Sequence, residues 1–203
     1  MDTEEILDLK PIADEIMSIS GNTKGNSLYT DMQFILERKG EEGLEALEEA
    51  LSVLGYPFSY KDVKGFEWYP ESQAVLGIFL AKKIFGWSEE EIFDMGFAAP
   101  TSSLLVKTIM RFISLERTFE QGPSVWKKHY DFGKFEPLEI NSSEKYLKFR
   151  VSGYGFFDYM EAYFEGFFTR LLQLLGIADL ESLEGKPCKE DAHNCRDYDV
   201  RWK

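Results

Sequence analysis

Hydrophobic residues recur every three or four positions in the first part of the chain, the spacing that places them on one face of a helix. Between Thr3 and Ser18 this face includes Ile6 and Ile16, and the acidic residues at its start suit the positive end of a helix. A polar Gly/Asn/Ser segment follows and is typical of a linker. The pattern predicts an N-terminal helix and linker over residues 1–24 and the main domain over residues 25–203.

Glycine and proline end most of the helical patterns that follow, as expected of residues that stop a helix. Gly40 and Gly55 each follow an amphipathic segment, and Ser88 precedes three acidic residues as an N-cap. The aromatic segment that ends at Pro70 is predicted to be a loop or an edge strand. The predicted helices are residues 30–39, 41–54, 71–85, a segment that begins at 88, 104–119 after Pro100, and 124–130 after a break at Gly122-Pro123.

After Gly133 the pattern changes to short runs with partial alternation, which indicate strands. Between the second and third run, residues 155–175 form a long helix that is apolar nearly all round, which predicts that it is buried. The predicted strands are residues 134–140, 145–151, 179–185 and 195–202. The order predicts an α+β fold: N-terminal helices and an antiparallel sheet of two hairpins with a long buried central helix between them.

Aromatic residues make up 15% of the 203 residues, and the 17 phenylalanines exceed what a routine core requires. Aromatic rings bury large areas, but they also leave shaped gaps that small apolar molecules can fill. We therefore expect an apolar cavity of roughly 300 Å³ or more between the helix at 155–175 and the helices before Gly133. A solidly packed, Phe-rich core is the alternative interpretation.

The formal net charge is −13, from 36 acidic and 23 basic residues. A surface this negative repels phosphate backbones and anionic headgroups, so we expect neither nucleic acid nor a membrane as partner. The acidic N-terminus lacks the pattern of a signal peptide, and no apolar run is long enough for a membrane span. Two cysteines are too few for a secreted disulfide scaffold, so the predicted location is the cytoplasm.

Motifs for nucleotide binding or serine hydrolysis are absent from the sequence. The densest cluster of ligating residues is near the C-terminus, where Cys188, His193 and Cys195 lie within eight positions. They could bind zinc, with a carboxylate such as Asp158 completing the set, or the cysteines could be free thiols. A disulfide is the third alternative, and the predicted cytoplasmic location argues against it.

His129 raises the question of haem, because a histidine can be an axial ligand and the aromatic core could enclose a macrocycle. A single histidine between Lys128 and Tyr130 is more often a surface or hydrogen-bonded residue. Haem is therefore the less favoured interpretation.

Three stretches together resemble the 4-vinyl reductase (hydrocarbon-binding) domain family. They are WKKHYDFGKFEPLEIN from Trp126, YMEAYFEGFF on the predicted central helix, and CKEDAHNCRDYDVRW from Cys188. That family is similar in fold to haem–nitric-oxide-binding domains and to TRAPP components, and the resemblance extends over about Gly25 to Trp202 in element order. It implies an α+β ligand-sensing domain, often dimeric, with an apolar pocket between helices and sheet.

The resemblance also bears on cofactors. Family members that sense phenolic compounds bind zinc through cysteines near the chain end and one on the central helix. Cys188 and Cys195 match the terminal pair, but the chain has Phe157 and Asp158 near the third position, so Asp158, Glu184 or His193 would have to substitute. The Tyr-x-Ser-x-Arg propionate clamp of the haem-binding branch is missing, since the corresponding region is the stretch 149–152, Phe-Arg-Val-Ser.

These observations favour a non-enzymatic sensor or carrier for a small apolar or aromatic ligand, with a homodimer and a separate effector protein as partners. Three alternatives remain: a reductase for a vinyl-bearing tetrapyrrole, a haem-binding gas sensor, and a TRAPP-like assembly module. No cofactor is certain; zinc is open and haem is disfavoured. The residues predicted to line the pocket are Phe156, Met160, Tyr163, Phe164 and Phe167 on the central helix, with Phe79, Phe112, Trp126 and Tyr130 from facing helices.

Overall fold

A computed structural model describes residues 1–102 and 115–203 of the chain. Its α-helices in these ranges are α1 (Thr3–Leu7), α2 (Lys10–Ser18), α3 (Gly25–Val53), α4 (Glu71–Phe85), α5 (Glu89–Ala98), α6 (Leu115–His129) and α7 (Phe157–Leu174). The strands are β1 (Asn22–Lys24), β2 (Trp68–Pro70), β3 (Lys134–Asn141), β4 (Tyr146–Ser152), β5 (Leu180–Pro187) and β6 (Cys195–Trp202). Short 3-10 helices occupy Tyr60–Asp62 and Ala99–Ser102.

The main sheet has four strands in the order β3-β4-β6-β5, and every neighbouring pair is antiparallel. The two predicted hairpins are therefore confirmed, and they join through β4 and β6. Helix α7 packs against the sheet. The centroid of the Phe168 ring lies 4.8 Å from that of the Phe149 ring and 5.0 Å from that of the Tyr198 ring. The predicted α+β fold with a long buried helix between two hairpins is confirmed.

The two faces of the sheet differ because side chains alternate along a strand. On β4, Leu147, Phe149 and Val151 are buried toward the helices. On the opposite face, the Arg150 guanidinium donates to the Asp197 carboxylate at 2.7 Å. The inner face thus supplies apolar walls, and the outer face carries paired charges.

Both edge strands of this sheet are irregular. Strand β3 contains Pro137 and a register shift between Pro137 and Glu139. Strand β5 has a shift between Leu180 and Ser182 and ends at Pro187. Proline lacks a backbone donor, so it is tolerated at an edge.

The predicted break at Gly40 is confirmed, since α3 is interrupted there by a residue with φ 68°. That conformation is available to glycine at little cost and interrupts the hydrogen-bond ladder. The first half of α3 begins at Gly25, earlier than the predicted residue 30, because its first turns pack on the β1–β2 ribbon. The predicted cap at Ser88 is also confirmed: Ser88 and Glu91 form a capping box at the start of α5.

The N-terminal prediction of one continuous helix is wrong. Pro11 lies in the first turn of α2, where it lacks the N–H that a continuous helix would bond to the preceding turn, and α1 and α2 are separate. The predicted linker contains strand β1, whose Thr23 is fully buried and pairs with Tyr69 of β2. Whether residues 1–24 are a separate unit stays a prediction.

The predicted break at Gly122-Pro123 is also wrong, because α6 continues through Pro123. Proline removes one helical hydrogen bond. Tertiary packing holds the helix together at this point, since the Phe135 ring of β3 lies directly against Gly122 and 6.3 Å from the Phe119 ring. Most of the helix predicted at 104–119 lies outside the described residues.

Helices α5 and α7 cross with their backbones in contact. A Cβ atom at Gly166 would overlap the carbonyl oxygen of Phe93, and one at Gly96 would overlap the carbonyl oxygen of Tyr163. Two glycines therefore let these helices approach more closely than larger residues would allow. Among the described helices, none combines the length and apolar character needed to cross a membrane.

Candidate functional site

An apolar cavity of about 210 Å³ lies between α6, α7, the inner face of β3 and β4, and the first turns of α3. It is smaller than the roughly 300 Å³ expected from the sequence. A cavity of about 150 Å³ lined by similar side chains can hold benzene, so this one is large enough for a ring with a short substituent. Its apolar walls include Leu115, Phe119, Trp126, Phe135, Leu147, Phe149, Phe164, Phe167, Phe168, Leu171 and Leu172.

One end of the cavity is polar. Asn26, Ser27 and Thr30 from the first turns of α3 line it, together with His129 and Tyr130 at the end of α6. Burial lowers the pKa of His129, and the nearby charges of lysines lower it further, so the imidazole is neutral at pH 7. The cavity thus combines aromatic walls with a small group of hydrogen-bonding side chains.

A buried carboxyl group, Asp31, lies directly behind this polar end. Only 4% of Asp31 is exposed, and the Tyr163 hydroxyl donates to its Oδ1 at 2.9 Å. Burial raises the pKa of Asp31 to about 7, and the hydrogen bond from Tyr163 opposes the shift. Because Tyr163 itself lines the cavity, its hydroxyl connects the cavity wall to Asp31.

A second buried acid, Glu71, begins α4 and reaches the same region. The Tyr154 hydroxyl donates to Glu71 Oε1 at 2.6 Å. Burial raises the pKa of Glu71 to about 8. Glu71 Oε2 is buried without a hydrogen-bond partner among the described residues.

Tyr130 links the second acid to the cavity. The Thr23 and Ser27 hydroxyl oxygens, 3.3 Å apart, lie beside it. The Tyr130 ring stacks on Trp126 with centroids 4.4 Å apart, and both rings line the cavity. The polar end therefore brings hydroxyl and carboxyl groups together beside the stacked Trp126 and Tyr130 rings.

Comparison with known proteins gives a structural match only. No family model matches the chain, and no curated protein matches it. The solved structures that match include an oxygen-binding H-NOX domain related to soluble guanylate cyclases, at 11% identity and a TM-score of 0.64, covering 89% of this chain and 95% of the other. The fold is that of the H-NOX domains.

Two further H-NOX structures agree. A mutant H-NOX protein from S. oneidensis in the Fe(II) ligation state has a TM-score of 0.66 at 10% identity, covering 89% of this chain and 96% of its own. An unliganded Fe(II) mutant from K. algicida has a TM-score of 0.65 at 11% identity, with the same two coverages. The match therefore spans nearly the whole length of both chains, while the side chains are almost entirely different.

Within this H-NOX-like fold, five of the predicted pocket residues line the cavity: Tyr163, Phe164, Phe167, Trp126 and Tyr130. Met160 is buried but is not among the lining residues, because it lies one helical turn before Phe164. Phe156 is buried against Phe132 and Tyr154 instead. The Phe79 ring faces Tyr159, away from the cavity, and Phe112 lies outside the described residues.

Sequence reasoning missed the two acids and the contribution of the sheet. Asp31 lies between Leu28 and Ile35 on an apolar helix face, and Glu71 begins an apolar helix. An acid in an otherwise apolar stripe is the signal that could have identified them. Alternation in β4 could likewise have identified Phe149 as a wall residue.

Cys188 and Cys195 form a disulfide that closes the β5–β6 hairpin, with Cα atoms 5.3 Å apart. The cysteines are therefore not free thiols in this structure, because Cys188, directly after β5, and Cys195, at the start of β6, lie next to each other. In a disulfide the sulfurs are not thiolates, so zinc binding stays a prediction for the reduced chain only. The carboxylate near the sulfurs is Asp197, with its Oδ1 3.7 Å from Cys188 Sγ. His193 is instead largely exposed and 3.4 Å from Asp158.

Proposed function

We propose that this chain is a sensor or carrier domain that binds a small apolar molecule in the cavity between α6, α7 and the sheet. The observation that carries the proposal is an aromatic-walled cavity of about 210 Å³ with hydrogen-bonding groups at one end. Binding sites for small molecules combine apolar walls with a few placed polar groups in this way. The H-NOX-like fold supports the proposal, since one matching structure is described as an oxygen-binding domain.

The resemblance of the C-terminal stretches to the 4-vinyl reductase domain narrows the proposal. It favours an aromatic or other hydrocarbon ligand, a homodimer, and a separate effector protein that responds to the bound state. A ring with a short substituent suits the cavity volume. The cytoplasm is the proposed location, where the reducing environment would keep Cys188 and Cys195 as thiols and the disulfide would form on oxidation.

The experiment is calorimetric titration of the purified chain with ethylbenzene. Phe164→Ala enlarges the cavity and should change the dissociation constant by about tenfold or more. Phe79→Ala is the matched control, because it removes the same ring from a face that does not line the cavity. Absence of ethylbenzene binding, or equal effects of the two variants, would contradict the proposal.

Haem is a second candidate, favoured by His129. Its imidazole lines the cavity and is neutral, the form that binds iron. Two of the matching H-NOX structures are described as Fe(II) forms. A bound haem would place its iron beside His129 and supply a site for a diatomic gas.

The described residues fit haem poorly. No lysine or arginine in the described part of the chain lines the cavity, so the propionate groups would have no cationic partner. At the place of the propionate clamp, Arg150 points to the outer face and pairs with Asp197, and Ser152 donates to Glu136. The buried Asp31 carboxyl group, about half ionised at pH 7, would repel the propionates at the polar end.

Haemin titration distinguishes the two candidates. The poor fit leads us to expect no stable Soret band after desalting. A Soret band that His129→Ala abolishes and Phe79→Ala preserves would establish haem binding instead.

A further inference from the structure

The polar end of the cavity carries negative charge through Asp31, which has a pKa of about 7 and is therefore about half ionised at pH 7; Glu71, with a pKa of about 8, is mostly neutral there until a nearby cation favours its ionised form. Asp31 accepts a hydrogen bond from Tyr163, which lines the cavity, and Glu71 accepts one from Tyr154, whose ring lies edge-on to the lining residue Tyr130; neither buried carboxyl group has a basic partner among the described residues. His129 is the only basic side chain among the described residues that line the cavity, and it is neutral. A ligand group at the polar end is therefore attracted if it is positively charged and repelled if it is negatively charged.

The tyrosine hydroxyls connect the buried carboxyl groups to the cavity. The Tyr163 hydroxyl donates a hydrogen bond to Asp31, so the lone pairs of its oxygen remain available as acceptors. A ligand donor bound to Tyr163 would strengthen the Tyr163–Asp31 bond, because hydrogen bonds in a chain polarise one another. The arrangement suits a group that donates several hydrogen bonds.

The aromatic walls add attraction for positive charge. The faces of the Trp126 and Tyr130 rings carry negative charge density. A cation binds such a face most strongly when the cation and the ring are both removed from water. Glu71 Oε2, buried and without a hydrogen-bond partner among the described residues, adds unmet hydrogen-bonding capacity near Tyr130, and a nearby cation favours the ionised form of this group. An anionic ligand would meet unfavourable charge from the same groups.

We propose that the ligand of this cavity is an organic amine, with its apolar body among the aromatic rings and its ammonium group at the end formed by Tyr130 and Tyr163. This inference rests on the proposed function, since it names the chemical class of the molecule held in that cavity. An ammonium group supplies three donors and a positive charge, which match the hydroxyl acceptors and the buried carboxyl groups.

The test compares three ligands that share a phenylethyl body and differ in the end group, by calorimetry at pH 7: 2-phenylethylamine, propylbenzene and 3-phenylpropionate, whose carboxylate is two heavy atoms larger than the other end groups. The amine and the hydrocarbon differ mainly in the exchange of an ammonium for a methyl group. We expect the amine to bind at least about tenfold more tightly than propylbenzene, and the carboxylate to bind more weakly than both. Asp31→Asn should reduce amine affinity by about tenfold and change propylbenzene affinity by less than about twofold.

Two further variants keep the test decisive. Tyr163→Phe retains the ring and removes the hydroxyl, so it should reduce the preference for the amine even if Asp31→Asn does not fold. Glu165→Gln removes an acid from the same helix at a position that does not line the cavity, and should leave the preference unchanged.

The outcomes separate the two proposals. Equal or tighter binding of propylbenzene, or preference for 3-phenylpropionate, would overturn the amine inference and leave the apolar-ligand function standing. An amine preference that survives both Asp31→Asn and Tyr163→Phe would also overturn it. Failure of all three compounds to bind would overturn the proposed function as well.

Discussion

Neutralising Asp31 should make the fold more stable at neutral and alkaline pH. Asp31→Asn keeps the size of the side chain and keeps an oxygen that can accept the Tyr163 hydroxyl. It removes the negative charge that the buried wild-type group would acquire on ionisation. The substitution therefore isolates the free energy of burying that charge.

The magnitude follows from the two pKa values of Asp31. Its ordinary pKa of 3.8 applies to the unfolded chain, and burial raises it to about 7 in the folded chain. Between these values the folded state binds more protons than the unfolded state, so the free energy of unfolding falls as the pH rises. At about 1.4 kcal/mol for each pH unit, the full loss is on the order of 4 kcal/mol, present above about pH 7 and absent below about pH 4.

Urea unfolding followed by circular dichroism at intervals from pH 4 to pH 9 measures this difference. The two proteins should be nearly equally stable at the acid end, and Asp31→Asn should gain stability relative to the wild type up to neutral pH. Glu42→Gln is the control, since Glu42 is exposed. Parallel profiles for the wild type and Asp31→Asn would refute the argument that burial perturbs this group.

Four other predictions concern packing and assembly. Gly166→Ala should lower the free energy of unfolding by about 1–3 kcal/mol by forcing α5 and α7 apart, whereas Thr169→Ala should not; equal melting temperatures would contradict this. Phe164→Ala should cost about 3–5 kcal/mol in urea unfolding and also alter ligand affinity; loss of stability alone would favour a packed core. Cys188 and Cys195 should resist alkylation until a reductant is added, and the variant with both changed to serine should lose about 2–4 kcal/mol in the free energy of unfolding. If elemental analysis of the reduced protein finds no zinc, a zinc site is contradicted. Light scattering should give twice the 23.5 kDa of one chain, and a monomer mass would contradict the dimer.

The elements that could be predicted from the sequence are those fixed by local chemistry. Helix α4 has the predicted bounds, residues 71–85, because an apolar run ends at Gly86, which has φ 63°. The β3–β4 hairpin forms where two short strands flank a polar turn that contains Lys145 at φ 54°. In both cases the residues that start or end the element lie within it or next to it in the sequence, so a local pattern is enough to predict it.

The polar end of the cavity could not be predicted in the same way, because it depends on contacts between distant parts of the chain. Tyr163 reaches Asp31 across 132 positions, and Tyr154 reaches Glu71 across 83. The helix break predicted at Pro123 failed for a related reason: the packing of Phe135 against the helix outweighs the local cost of proline. Local sequence patterns predict individual helices and strands, whereas this site depends on which helix and sheet faces pack against each other.

The irregular edge strands of the sheet have a consequence for how copies of this chain can associate. A straight, exposed edge offers a row of unpaired backbone groups onto which another sheet can add, which is a route to aggregation. Here Pro137 and the bulge in β3 interrupt one edge, and the bulge in β5 with Pro187 at its end interrupts the other. A protein with so many aromatic residues would otherwise be prone to cross-β stacking. Any ordered assembly of this chain is therefore expected to form through its helices, with the sheet remaining four strands wide.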